Sequence, residues 1–154
     1  MSKEVITTSL LVIATVVAVT IFAASMLPSV RDLLNAYSSL TNKLNDRVRT
    51  DIKIIFIKVN DTTLTFWAKN IGTNRIPLSL LNFSDVFIVS SDSSYHFVFS
   101  DSNVSYVIEN NDGDDYWESG ETLKVVIDVS LSSDDYSLIF VLYNGVKTSD
   151  VFSK

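Results

Sequence analysis

The stretch Val5 to Val30, 26 residues without a charge, constrains this chain more than any other. At about 1.5 Å rise per residue, about 20 apolar residues cross a hydrocarbon layer about 30 Å thick, so the run is long enough to span one. A secretory signal has an apolar part of only about 7–15 residues behind a basic start. Here only Met1-Ser2-Lys3-Glu4 come before, and the charges of Lys3 and Glu4 cancel. The sequence therefore predicts a membrane helix with lipid contact through residues 5–30.

Beyond it, Val30, Leu33, Leu34, Tyr37, Leu40, Leu44 and Val48 recur at 3-and-4 spacing, with Arg31, Asp32, Asn35, Lys43, Asp46 and Arg47 largely between them. This is the pattern of an amphipathic helix. Pro28 lacks a backbone donor and crowds the carbonyl of Ala24, so a kink or brief break is expected there before the helix resumes. A rod from Ile6 to Arg49 would be about 65 Å long. Residues 1–50 are thus read as a transmembrane and stalk helix, and 51–154 as a separate domain.

The period then changes to two. Ile52–Val59 is β-branched and aromatic, and Thr63–Lys69 alternates with Leu64, Phe66 and Ala68 on one face and Trp67 on the other. Asn70-Ile71-Gly72-Thr73-Asn74 is read as a turn, since Asn and Gly tolerate positive φ. Further strands are expected at 76–81, 85–90, 95–100, 104–109, 123–129 and 137–143, with a short last one at 146–149. Leu123, Val125, Ile127 and Val129 should face inward. The segment 137–143 is apolar on both faces and should be central or covered by the stalk helix. About eight strands with turns between them, and no second helical pattern, predict an all-β antiparallel sandwich.

The charge is unevenly spread. Residues 31–60 hold six basic and three acidic groups, residues 61–154 five basic and fourteen acidic. So acidic a body argues against nucleic acid as a partner, because phosphates need Lys and Arg on one face. There is no cysteine, hence no disulfide framework and no thiolate metal site.

Three features are candidate sites. The segment 109–121 is rich in carboxylates, and Asp112, Asp114 and Glu118 are candidate ligands for Ca²⁺, which takes six to eight oxygens. The segment does not follow the EF-hand order, and an acidic hairpin loop is the alternative; no other cofactor is expected. Trp67 is a candidate partner contact, or else is covered by a neighbouring helix. The stripe Val30, Leu33, Tyr37, Leu40, Leu44 and Val48 packs either on its own sandwich or, the favoured reading, on the helix of a neighbouring copy. Small and hydroxylated residues in the apolar run (Thr8, Ser9, Ala14, Thr15, Ala18, Ala24, Ser25) permit close helix approach, and a homo-oligomer is expected. No enzyme is indicated. His96, the one histidine, sits in an aromatic strand without a Ser or Cys nucleophile nearby, and no phosphate-cradling Gly-rich loop is present.

Several stretches together resemble a known family: the helix opening at Glu4-Val5-Ile6-Thr7-Thr8, Leu11–Val19, and Met26-Leu27-Pro28-Ser29-Val30. With them go Tyr37-Ser38-Ser39, Asp46–Ile55 and Trp67-Ala68-Lys69-Asn70-Ile71-Gly72. They look like the FlaG family of archaellum accessory proteins, relatives of archaellins, most specifically over residues 4–72. The resemblance implies an immunoglobulin-like sandwich outside the cytoplasmic membrane and a structural role in the stationary part of the motor. It also implies a FlaF-type partner and, through it, contact with the surface layer. Archaellin precursors carry a basic residue and Gly before the apolar run, where a peptidase cuts; Lys3-Glu4 without Gly favours an uncleaved, single-pass anchored component.

A filament-forming archaellin or pilin is the alternative, and a calcium- or glycan-binding surface module a third. The basic residues beyond the helix would by themselves put the domain in the cytoplasm. The sequons at Asn60, Asn82 and Asn103 fit the outside but are as many as chance supplies in a chain so rich in Asn, Ser and Thr, and the family resemblance decides for the outside.

Overall fold

The computed structural model describes residues 2–110 and 112–154. A helix, α1, runs from Ser2 to Arg49 and has no buried residue. Its hydroxyls are satisfied within the helix: Thr7, Thr8, Ser9 and Thr20 donate to the carbonyl four residues back, and Thr15 and Ser25 to the carbonyl three back. A helix crossing hydrocarbon needs this, because no water is there to take an unpaired polar group. By length and composition α1 is able to cross a membrane. The break expected at Pro28 is absent, since the helix is continuous through it. One missing donor does not end a helix whose neighbouring turns remain bonded.

Lys43–Lys154 form a second compact unit. It holds β1 (Ile52–Val59), β2 (Thr63–Asn70), β3 (Ile76–Pro77), a one-turn helix α2 (Leu78–Leu81), β4 (Asp85–Val89) and β5 (Ser94–Val98). After these come β6 (Val104–Ile108), β7 (Tyr116–Trp117), β8 (Thr122–Asp128), β9 (Asp135–Val141) and β10 (Lys147–Ser153). One sheet has the order β1-β2-β8-β6, the other β10-β9-β4-β5, and β3 pairs with β7 in a short ribbon. Every pairing is antiparallel. These orders correspond to strands A-B-E-D and G-F-C-C′ of an immunoglobulin-type sandwich. A second mark of that fold is present: Tyr136, at the start of β9, donates its hydroxyl back to the Ser132 carbonyl at 3.3 Å.

The core lies between the two sheets. Leu64, Phe66, Ala68, Leu123, Val125 and Ile127 from one face Val86, Ile88, Leu138 and Phe140 from the other, and all are buried. Phe66 and Phe99 both pack on the Phe140 ring, at 5.5 and 5.2 Å. Alternation in β2 and β8 is as the sequence predicts, with Val129 half-buried at the edge of the core. β9 is central in its sheet, between β10 and β4; Tyr136, Leu138 and Phe140 face the core, and Ile139 and Val141 on its other face are half-buried.

Three expectations are corrected. The strand expected at 76–81 stops at Pro77 and turns into α2. Ile76 and Leu81 are both buried but five residues apart, an odd spacing that would put them on opposite faces of a strand. The helical turn lets both face the core, and Pro77, having no N–H, starts it without losing a bond. The last strand is longer than expected, reaching Ser153. Gly72 does not use positive φ, which is confined among the described residues to Gly113, Gly120 and Gly145; what it provides is space.

Candidate partner-binding surface

The sheet β1-β2-β8-β6 presents an outer face built by the alternation that buries its inner one. Its register aligns Phe56, Trp67, Lys124 and Val107 in one row across four strands. Trp67 is half-buried, its ring 5.3 Å from that of Phe56, and the Lys124 ammonium lies 5.6 Å from its centroid. Phe56 is 57% exposed and Ile55 51%. Both reach this face because β1 carries a bulge: Ile54 pairs with Ala68 and Phe56 with Trp67, leaving Ile55 without an opposite residue. The sequence singled out Trp67 but not Ile55 or Phe56. The signal was available in the distance between Lys53 and Lys58, which is odd, so that a regular strand would have turned one of them into the core.

The stripe Val30, Leu33, Tyr37, Leu40, Leu44 and Val48 is exposed along its whole length, from 42% at Val30 to 82% at Val48. The last turn of α1 is different, because its backbone is tied down. The carbonyl of Arg49 accepts from Thr73 N at 2.9 Å and Asn74 N at 3.1 Å, and Arg47 donates to the Gly145 carbonyl at 3.3 Å. Thr50, buried, donates to the Asp46 carbonyl and accepts from the Asn74 and Asn144 amides at 3.3 and 3.1 Å. Asn70, also buried, donates to the Asn74 and Trp117 carbonyls and accepts from Gly72 N. The residues read as a turn from sequence therefore grip the helix end.

The acidic segment is organised by its own backbone. Asp112 accepts from Asp114 N at 3.2 Å, and Asp114 from Tyr116 N at 2.9 Å. Glu118 faces Arg75 at 3.6 Å. Asn111 lies outside the described residues. Among the described residues no three His, Cys, Asp or Glu side chains gather as a metal site would require. Trp117, unmarked in the sequence reading, is the anchor of this segment. It is fully buried and donates Nε1–H to the Glu121 carbonyl at 3.0 Å. A tryptophan among carboxylates was the available signal.

His96 stacks on Phe87 at 4.5 Å and bonds Asp85 through Nε2 at 2.8 Å. The open depression between Pro77, Leu78, Ser79, Asp115 and Tyr116, about 430 Å³, contains no nucleophile paired with a base.

Fold and surface together define a class: an immunoglobulin-like sandwich following a long N-terminal helix, with features suited to contact more than to chemistry. The family model of archaeal-type flagellin matches residues 2–152. The chain belongs to the archaeal-type flagellin family. A protein of Archaeoglobus fulgidus is 50% identical over 161 residues, covering 99% of both chains. Among solved structures, the archaellum periplasmic stator protein FlaG from Sulfolobus acidocaldarius is similar with a TM-score of 0.54 and 20% identity, over 67% of this chain and 99% of that one. The FlaF–FlaG stator complex from the same organism matches with a TM-score of 0.52 and 20% identity, over 66% of this chain and 87% of that one. The relation to archaellins and the FlaG-like fold expected from sequence are thus found, and the flagellin family and the FlaG structures are structural archaellum components, not enzymes.

Proposed function

We propose that this chain is a membrane-anchored structural component of the archaellum motor. In this reading α1 fixes it in the cytoplasmic membrane, and the sandwich sits outside and binds a FlaF-type partner, through which load passes to the surface layer. The observation that carries the reading is the pairing of a sandwich matching 99% of the solved FlaG chain with a helix apolar enough to span lipid. A rotating filament needs a body that does not turn, and an anchored rod with a gripping head supplies it. Deletion of the gene in frame tests the role: motility should be lost and return with the full-length chain but not with a chain lacking residues 5–30. Normal swimming in the deletion strain would end the reading. Capture of a FlaF-type protein by the tagged, detergent-solubilised chain tests the partner.

The family match over nearly the entire chain supports a second reading, a filament-forming subunit. Sheared filaments separate the two, since a subunit appears in them and an anchored component stays with the membranes.

A further inference from the structure

The outer face of the β1-β2-β8-β6 sheet is basic in an otherwise acidic domain. Lys53, Lys58, Lys69 and Lys124 are four of the eight lysines in the chain, and strand alternation puts all four on this face. Within the ladder the single carboxylate among them is Asp128, at one end. Lys53 and Lys69 are direct neighbours in the register, Lys58 lies opposite Thr65, and Lys124 adjoins Trp67. Two adjacent like charges across strands repel, and among the described residues Lys53, Lys58 and Lys69 have no ion-pair partner. Lys124 reaches only Glu109, at 4.0 Å. At the centre of the face are the exposed side chains of Ile55 and Phe56 and the half-buried Trp67. An aromatic centre ringed by charge is the composition of a protein interface and not of a solvated sheet.

We propose that this face docks an acidic surface of a second copy of this chain, with Asp112 and Asp115 of that copy set against Lys53, Lys58 and Lys69. The chain itself supplies the complementary charge. Residues 61–154 hold fourteen acidic groups against five basic, and Asp112 and Asp115 are exposed on the segment between β6 and β8. Segregated charges of opposite sign attract copies of one molecule, steer their encounter and fix their register. The contact joins two different patches, so it is heterologous in the sense of a head-to-tail contact. It goes beyond the motor role proposed above and does not depend on it.

The natural chain has no cysteine, which gives a clean test. Full-length K58C and D115C chains, purified in non-ionic detergent, are mixed and treated with a short bismaleimide. The K58C–D115C product should exceed both same-variant products at least about fivefold. It should fall about tenfold in about 1 M NaCl, where the screening length is about 3 Å. In sedimentation experiments K53E/K58E/K69E should weaken self-association about tenfold or more, and mixing with D112K/D115K should restore it. Equal yields in all three cross-linking combinations, or association indifferent to salt and to charge reversal, would overturn the proposal. So would a chain that stays monomeric at every concentration. A deletion strain that cannot swim, together with no cross-linked product, would remove this contact and leave the motor role standing.

Discussion

A Cβ added to Gly72 would lie 2.5 Å from the carbonyl oxygen of Arg49 and 2.5 Å from the amide nitrogen of Asp51. The last residue of α1 and the first turn after β2 therefore touch through bare backbone. Gly72 N also donates to the Asp51 carbonyl at 2.9 Å, so neither segment is able to retreat without losing bonds. Gly72→Ala should destabilise the sandwich by about 2–4 kcal/mol, because a backbone contact relaxes less than a side-chain one. For a domain of this size that is a fall of at least about 10 °C in Tm. A thermal melt unchanged within about 2 °C would show that the close approach does not exist in solution.

Much of this architecture was legible in the residues and some was not, for identifiable reasons. Period-two patterning located β2 and β8, because each has one face in the core and a one-residue slip would expose it, while β1 and β9 stood out by their β-branched and apolar composition. The grip of Gly72 on the helix end was not legible, since the partner of a close approach lies outside the local sequence. Ile76–Leu81 misled because an apolar run carries no period of its own, and the odd spacing of its two buried ends had to be weighed against it. The acidic segment hid Trp117 for a similar reason: composition described the loop, while a single large side chain determined how it folds. The binding face was half legible. Trp67 stood out by type, but its neighbours Ile55 and Phe56 depend on a bulge.

Tyr136→Phe tests the corner that joins β8 to β9. The hydroxyl bonds the Ser132 carbonyl at 3.3 Å and the Ser132 side chain at 3.1 Å, while the ring stacks on Phe152 at 5.5 Å. The ring remains in the variant and only the polar contacts go. The loss should be about 1 kcal/mol, measured by chemical denaturation with an unchanged m-value.

Alkaline pH should weaken the sandwich. Burial raises the pKa of the Tyr106 phenol above its usual value of 10.0, and burial together with the neighbouring Asp46 carboxylate raises that of Tyr143. A phenol whose pKa is higher folded than unfolded adds stability in full below the unfolded value and loses it as pH rises through the folded one. The melting temperature should therefore drop above about pH 10, and Tyr106→Phe should reduce that slope. An identical slope in the variant would assign the alkaline loss to other groups.

The helix stripe should act between molecules and not within the head. Leu33, Tyr37 and Leu40 are 60–70% exposed, so replacing Leu33 and Leu40 with Gln removes no core contact. We expect the melting temperature of the sandwich to stay within about 2 °C, as for surface substitutions in general. Self-association of the full chain in detergent should weaken, because a regular apolar stripe on a polar helix is stable when a neighbour covers it. Sedimentation measures the second effect and calorimetry the first. A drop in Tm with association unchanged would place the stripe against its own sandwich.

Deletion of Ile55 is the sharpest test of how β1 is built. The bulge gives β1 the pattern Ile52 and Ile54 inward, Ile55 and Phe56 outward, Ile57 and Val59 against the core. Without Ile55 the remaining residues alternate strictly, with Lys53, Phe56 and Lys58 all outward and Phe56 still opposite Trp67. No core side chain changes face and no pairing across to β2 is lost. The deletion should therefore fold, with stability changed by about 1 kcal/mol or less, as for an exposed position. Deleting Ile57 instead also leaves a strictly alternating strand, with both lysines still outward, but Ile55 then stands opposite Trp67 and Phe56 takes the place of Ile57 against the core. A ring must fit where an isoleucine packed, so that chain should fold with a loss of about 1–3 kcal/mol. The contrast is informative because the two deletions remove the same residue type from positions two apart. If both are equally stable, the inward side chain at Ile57 does not shape the core; if both fail, Ile55 has a role that its exposure does not suggest.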